Sequence, residues 1–223
     1  MNSEETPRTL RGQGVRGWPE RVLMLVTDRR CCGERSLCDV VDAAIAGGVN
    51  VVQLREKDLS AGELLEMARR LRGVCGHRAR LLVNDRVDVA LLAGADGVQL
   101  GEAALPVAAV RRLLPATMRV GRSVHSVNAA RQAEQDGADF LVLGTIFATP
   151  SHLESDLGGV QRLGEVTARV ERPVLAIGGM TPERAAACVE AGAVGVAVVS
   201  GIMAAEDPQA AARAFAMALG LGE

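Results

Sequence analysis

The sequence predicts one (β/α)8 TIM barrel of the α/β class, and three observations support that fold. Eight short apolar runs, rich in branched residues, alternate with amphipathic stretches of helical period. A turn that contains glycine precedes four of the runs. The chain has 223 residues, which is close to the roughly 250 residues that one such barrel commonly needs.

The eight apolar runs are the predicted strands, and each precedes a predicted helix. Runs with so few polar residues are typical of parallel strands that are buried on both faces. An open, doubly wound sheet is the alternative, but its G-x-G-x-x-G fingerprint is missing from the first strand-to-helix turn. In chain order the runs cover residues 22–26, 49–54, 81–83, 97–100, 119–121, 140–143, 174–177 and 194–199.

The glycine turns cover residues 46–49, 93–97, 136–139 and 191–195. Glycine tolerates the left-handed conformation that ends a helix and turns the chain into the next strand. Four copies of one helix-to-strand turn indicate the repeated unit of a barrel.

Two segments of the chain are predicted. Residues 1–17 are polar, contain several glycines and arginines and lack an apolar period, so we expect a disordered N-terminal tail. Residues 18–223 form the predicted barrel, which is the catalytic domain.

Composition narrows the class of ligand. A formal net charge of -2 and an aromatic content of 2% argue against a nucleic acid or an acidic membrane as the partner. No apolar run approaches the roughly 20 residues of a membrane span, and none of the five cysteines lies in a C-x-x-C pair. We therefore expect a cytoplasmic protein with a small-molecule ligand. The sequence leaves open whether copies of the chain associate into a homo-oligomer.

The residues after strand two predict a polyphosphate site. Catalytic groups of TIM barrels lie at the carboxyl ends of the strands, and alternation sends Gln53, Arg55 and Lys57 to one side. A forked guanidinium and an ammonium charge together suit phosphate oxygens. A solvated run of charges is the alternative.

Strands three and five also end in polar groups. Asn84 and Asp85 follow strand three and are candidates for binding a ring nitrogen and a divalent metal, with a helix cap by Asp85 as the alternative. Ser123 and His125 end strand five. His125 is a candidate general acid or base, because an imidazole titrates near neutral pH. A helix cap is again the alternative.

The ends of strands seven and eight predict a phosphate site. Gly178 and Gly179 end strand seven, and Val199 and Ser200 end strand eight. In many barrels the backbone N–H groups of these two adjacent ends bind phosphate, and glycine permits close approach. The long loop after strand six, which begins at residue 144, could order over the same ligand.

These stretches resemble the superfamily of thiamin phosphate synthases and thiazole tautomerases. The resemblance covers residues 22–219 and is carried by residues 53–57, 84–85, 97–101, 176–179 and 196–200. For a synthase it implies that a pyrimidine diphosphate condenses with a thiazole phosphate to give thiamin phosphate and pyrophosphate, through a dissociative step. The implied ligands of the diphosphate are Gln53, Arg55, Lys57, Asn84 and Ser123, with Asp85 on Mg²⁺. Those of the thiazole phosphate are Thr149, Ser151, Gly179, Val199 and Ser200.

Two positions depart from the synthase pattern. Ala104 stands where the superfamily has a second Mg²⁺ carboxylate, and His152 stands where it has a lysine. Glu102, two residues before Ala104, is the alternative metal ligand.

The second function that the resemblance allows is that of a thiazole tautomerase. It moves a proton on a carboxythiazole phosphate, needs neither metal nor diphosphate, and would use His125 as the acid and base. The complete set of diphosphate ligands favours the synthase. A non-catalytic protein that binds a phosphorylated ligand is the third hypothesis.

Overall fold

The structure is a computed structural model that describes residues 18–149 and 158–221. Eight parallel strands close into a barrel in which each strand pairs with the next in sequence, and β8 pairs with β1. The predicted fold is therefore confirmed. The strands are β1 (Val22–Val26), β2 (Val51–Leu54), β3 (Arg80–Asn84), β4 (Gly97–Leu100), β5 (Arg119–Val124), β6 (Phe140–Leu143), β7 (Val174–Ile177) and β8 (Gly195–Val198).

Helices follow every strand within the described ranges. A short 3-10 helix (Arg29–Cys31) precedes α1, and a short extra helix, α8, precedes the last one. The helices are α1 (Leu37–Ala46), α2 (Ala61–Cys75), α3 (Val87–Leu92), α4 (Val107–Arg111), α5 (Val127–Gln135), α6 (Gly159–Thr167), α7 (Pro182–Glu190), α8 (Ser200–Met203) and α9 (Pro208–Ala218).

Side-chain caps begin several of these helices at the mouth of the barrel. Ser60 and Glu63 form a reciprocal capping box at the start of α2, which satisfies two N–H groups that a helix otherwise leaves free. Thr181 caps α7, and Pro182 occupies its first turn, where the missing N–H costs nothing. The caps therefore determine where the loops of the mouth end.

The glycine turns adopt the conformation that the sequence predicts. Gly48, Gly94, Gly137 and Gly192 have φ angles of +112°, +61°, +95° and +94°. Each lies between a helix and the next strand, so the four turns confirm the repeated helix-to-strand unit.

Four strands differ from their predicted bounds, and two of them, β3 and β8, differ by only one residue at each end. The strand predicted from residue 49 starts at Val51, because the Asn50 side chain accepts from the Leu23 N–H at 3.0 Å and donates to the Arg21 carbonyl at 2.8 Å. The strand predicted over 119–121 continues to Val124. This extension carries Ser123 inside β5 rather than after it.

Apolar side chains fill the barrel and the layer between strands and helices. Met24, Leu82 and Phe140 pack inside the barrel, and the Trp18 ring stacks on Phe140 with their centroids 4.9 Å apart. The cysteines are free thiols, and burial raises the pKa of Cys75 to about 11. None of the helices in residues 18–149 and 158–221 is both long and apolar enough to span a membrane. The predicted tail, residues 1–17, lies outside the described residues.

Candidate active site

Polar side chains at the ends of β2, β3 and β4 form one chain of hydrogen bonds. Gln53 is buried, and its Nε2 donates to Asn84 Oδ1 at 2.9 Å. Asn84 Nδ2 then donates to Asp85 Oδ2 at 2.9 Å, and Asp85 Oδ1 accepts from the Gly101 N–H at 2.7 Å. Three predicted site residues are thus brought together at the mouth of the barrel.

The backbone of Asp85 is held in an unusual conformation. Its φ of +58° is the one positive value of a non-glycine residue in the described part of the chain, and aspartate tolerates it better than most residues do. The N-cap residue of α3 is Arg86, which immediately precedes the helix, and no side-chain cap is made there. The alternative interpretation of Asp85 as a helix cap is therefore wrong.

The Asp85 carboxylate has acceptor positions left for a cation. Each of its oxygens accepts one hydrogen bond, and a carboxylate offers about four acceptor positions. No group of three or more His, Cys, Asp or Glu side chains that could hold a metal occurs among the described residues. Mg²⁺ is commonly bound by one or two carboxylates together with substrate phosphates, so this donor set fits an ion that arrives with a diphosphate.

The cations after β2 differ in how far they are buried. Arg55 is half-buried, and its backbone N–H donates to Thr27 Oγ1 at 2.9 Å, whereas the Lys57 side chain is exposed. Glu56 between them is buried and accepts from Arg29 Nη1 at 3.0 Å. The segment that carries Arg55 and Lys57 is thus tied to the loop after β1.

A second ion pair stabilises the same segment. Asp58 accepts two hydrogen bonds from the Arg29 guanidinium, at 2.7 and 2.8 Å. These bonds lower the pKa of Asp58 to about 2. The pair therefore stays charged over the whole physiological range of pH.

Sequence reasoning missed Gln99 as a site residue. Gln99 Nε2 donates to Ser123 Oγ at 3.1 Å, and Oε1 is buried without a hydrogen-bond partner among the described residues. The glycine at position 121 leaves space for the Gln99 amide, because a Cβ at that position would lie 2.1 Å from Gln99 Oε1. The signal in the sequence is one polar residue within the otherwise apolar β4.

His125 lies at the rim, between two acceptors. Its Nδ1 is hydrogen-bonded to the Gly144 carbonyl, and its Nε2 lies 3.5 Å from Glu102 Oε2. The helix that follows is capped by Ser126, whose Oγ accepts from the Ala129 N–H at 3.2 Å. The alternative of His125 as a helix cap is therefore wrong. Glu102 lies beside His125, and Ala104 offers no ligand.

The loops after β6 and β7 lie against each other at the predicted phosphate site. We call residues 178–181 the phosphate loop and residues 144–149 the β6 loop. Gly178 and Gly179 have φ angles of +105° and +60°. A Cβ on Gly179 would lie 2.7 Å from the Ala148 carbonyl oxygen and 2.9 Å from Phe147 Cβ, so only glycine fits between the loops.

Some of the remaining predicted phosphate ligands lie within the described residues and others lie outside them. Val199 precedes α8, and Ser200 is its first residue, next to the end of β8. Thr149 is half-buried at the end of the β6 loop. Ser151 and His152 lie outside the described residues.

Comparison with known proteins gives concordant matches. A family model described as thiamine monophosphate synthase matches residues 23–202. The chain is 46% identical over 203 residues to a thiamine-phosphate synthase of Roseiflexus castenholzii, which covers 87% of this chain and 86% of the relative. It is 45% identical over 199 residues to a thiamine-phosphate synthase of Natronomonas pharaonis, covering 87% and 93%.

Solved structures agree with these sequence matches. A thiamine phosphate pyrophosphorylase from Pyrococcus furiosus superposes with a TM-score of 0.83 at 33% identity, covering 91% of this chain and 96% of that one. A 3-hexulose-6-phosphate synthase superposes with a TM-score of 0.69 at 18% identity, a likeness of fold alone.

Proposed function

The chain belongs to the thiamine monophosphate synthase family, and from that premise we propose the reaction that it catalyses. It is a thiamine-phosphate synthase, a transferase that joins a pyrimidine methyl group to a thiazole phosphate. The CH₂–O bond of 4-amino-2-methyl-5-hydroxymethylpyrimidine diphosphate breaks, pyrophosphate leaves with the bonding electrons, and the thiazole nitrogen forms the new N–CH₂ bond. No side-chain nucleophile is required.

The hydrogen-bonded chain from Gln53 through Asn84 to Asp85 is the observation that carries our assignment of the diphosphate side. A buried amide and a half-buried one, held in a fixed order, orient a polar ring, since each misplaced substrate donor or acceptor would lose a hydrogen bond.

Electrostatic stabilisation of the leaving group is the main catalytic contribution that we assign. Arg55 and Lys57 would place two positive charges beside the pyrophosphate, with Ser123 as a further donor, and charges aimed at a leaving group stabilise the transition state in which it departs. Asp85 would hold Mg²⁺, which supplies charge neutralisation of the diphosphate when it is bound.

We assign the phosphate of the thiazole to the phosphate loop and the start of α8. The N–H groups of Gly179, Met180 and Ser200 donate no backbone hydrogen bond within residues 18–149 and 158–221, so we infer that they are available to an anion. Thr149, Ser151 and His152 are proposed as further contacts of the thiazole phosphate.

The cellular location of the enzyme and the kind of partner it has are also part of the proposal. We place the enzyme in the cytoplasm, with small-molecule substrates as its partners, in line with its free cysteines.

Incubation of the purified protein with both substrates and Mg²⁺, followed by detection of thiamin phosphate, tests the proposed reaction. A matched incubation with Lys57→Ala tests the site, because that variant loses one of the two charges assigned to the diphosphate.

The contacts of His125 support thiazole tautomerisation as a second candidate function. An imidazole between the Gly144 carbonyl and the Glu102 carboxylate has its ring orientation set for proton transfer. A carboxythiazole phosphate would use the same phosphate site. Isomerisation of that compound without formation of thiamin phosphate would favour this candidate.

A further inference from the structure

Arg184 bridges the two loops that surround the proposed phosphate site. We propose that it is a positioning residue, which holds the phosphate loop against the β6 loop and thereby orients a backbone N–H toward the thiazole phosphate. The inference rests on the proposed function, because it concerns the thiazole side of that reaction. It assigns a role to a side chain that has none in the binding scheme above.

Two contacts of the Arg184 guanidinium carry the inference. Its Nη1 donates to the Gly179 carbonyl at 2.6 Å, and its central carbon lies 4.7 Å from the centroid of the Phe147 ring. Gly179 belongs to the phosphate loop and Phe147 to the β6 loop. One side chain on the first turn of α7 thus binds both loops.

Backbone hydrogen bonds bring the same loops into register. The Ile146 N–H donates to the Ile177 carbonyl at 3.0 Å, and the Phe147 N–H donates to the Gly178 carbonyl at 3.2 Å. The pairing of β6 with β7 therefore continues as far as Gly178. Arg184 takes the next carbonyl, that of Gly179, which the backbone pairing does not reach.

Peptide geometry links this bond to the phosphate. The Gly179–Met180 peptide bond is not among the cis bonds, and in a trans peptide the C=O and the following N–H point in opposite directions. When Arg184 holds the Gly179 carbonyl, the Met180 N–H must point the other way. That N–H donates no backbone hydrogen bond within the described part of the chain, so it can donate to a ligand.

The two contacts require an arginine. A planar guanidinium can lie on an aromatic ring and donate in its own plane at the same time, whereas an ammonium is a point charge on a flexible stem. Arg184→Lys keeps the charge but loses the stacked geometry. A residue that only attracted the phosphate by its charge would tolerate this change.

The test compares Arg184→Lys, Arg184→Ala and Phe147→Leu with the parent. We expect each to raise the KM for thiazole phosphate about tenfold, since a hydrogen bond and a cation–π contact of ordinary strength correspond to such a factor. The kcat and the KM for the pyrimidine diphosphate should stay within about twofold. The KM of Arg184→Ala combined with Phe147→Leu should be little higher than that of either single variant, because each substitution alone already breaks the same link between the two loops.

Arg169→Ala is the matched control. Arg169 also donates to a backbone carbonyl, that of Glu165 at 3.0 Å, but it follows α6 at the opposite end of the barrel. Its loss should leave both KM values unchanged. Thermal melting of every variant separates a loop effect from loss of the fold.

Direct binding of thiazole phosphate, measured by titration calorimetry, keeps this test independent of turnover. Weaker binding by the Arg184→Lys variant supports the positioning role even if the parent makes no thiamin phosphate. The role is refuted if Arg184→Lys binds as tightly as the parent. It is also refuted if Phe147→Leu leaves the binding of thiazole phosphate unchanged while Arg184→Ala weakens it, which would indicate a direct contact between Arg184 and the phosphate.

Discussion

Gly179→Ala tests the packing of the phosphate loop against the β6 loop. An alanine at a φ of +60° costs about 1 to 2 kcal/mol of backbone strain. Its Cβ would also lie 2.7 Å from the Ala148 carbonyl oxygen, so the loops must part by roughly 0.7 Å to restore an ordinary contact. The new methyl group points at the β6 loop.

Both effects have measurable sizes. The strain should lower Tm by about 2 to 4 °C for each kcal/mol in a chain of this length. Displacement of the Gly179 and Met180 N–H groups should raise the KM for thiazole phosphate about tenfold or more, because an error of about 1 Å in positioning can cost about 10²-fold. Initial rates with the other substrate at saturation give this KM.

Gly94→Ala is the control for backbone strain alone. Gly94 has a φ of +61°, and a Cβ there would meet nothing within 4 Å. It lies between α3 and β4, at the end of the barrel remote from the site. We expect a comparable loss of Tm and an unchanged KM. A Gly179→Ala variant with the KM of the parent would refute the proposed packing of the phosphate site.

Three further predictions concern charges and protons. Lys57→Ala should lower the rate of thiamin phosphate formation by about 10²-fold, as expected when a charge that stabilises the leaving group is lost; a rate equal to that of the parent would count against the diphosphate site. His125→Asn should keep most of this rate, since asparagine retains a donor, whereas carboxythiazole isomerisation, measured in the same preparation, would fall by about 10²- to 10⁴-fold if His125 transfers the proton. Asp58 has a pKa lowered to about 2 by its hydrogen bonds to Arg29, so the stabilisation from this pair is complete above its ordinary pKa of 3.8 and disappears as the pH falls to about 2. Asp58→Asn should therefore weaken the pH dependence of unfolding between these values, and an unchanged acid-unfolding curve would contradict the pairing.

The fold could be predicted because its signals are local and repeated. Most of the runs that became β1 to β8 are short and apolar. Glycine at positions 48, 94, 137 and 192 ends a helix by its own conformational preference. Neither signal depends on knowing which elements meet in space.

The details of the site depend on contacts between distant parts of the chain. Alternation predicted Gln53, Arg55 and Lys57 on one side, but β2 ends at Leu54. Along this segment Gln53 is buried, Arg55 is half-buried and Lys57 is exposed. The sequence contains no local signal that Arg184 would reach a carbonyl five residues earlier and a ring on another loop. Asp85 was predicted as a candidate from its place directly after a strand, but its bond to the Gly101 N–H joins residues 16 positions apart in sequence.

The most direct test of the central claim is a single incubation of the purified enzyme. The protein is mixed with pyrimidine diphosphate, thiazole phosphate and Mg²⁺, and thiamin phosphate and pyrophosphate are quantified over time, with a parallel sample that contains EDTA. Our account predicts that the two products form in equal amounts and that chelation stops both. The account would be contradicted if the folded protein isomerised carboxythiazole phosphate but formed no thiamin phosphate.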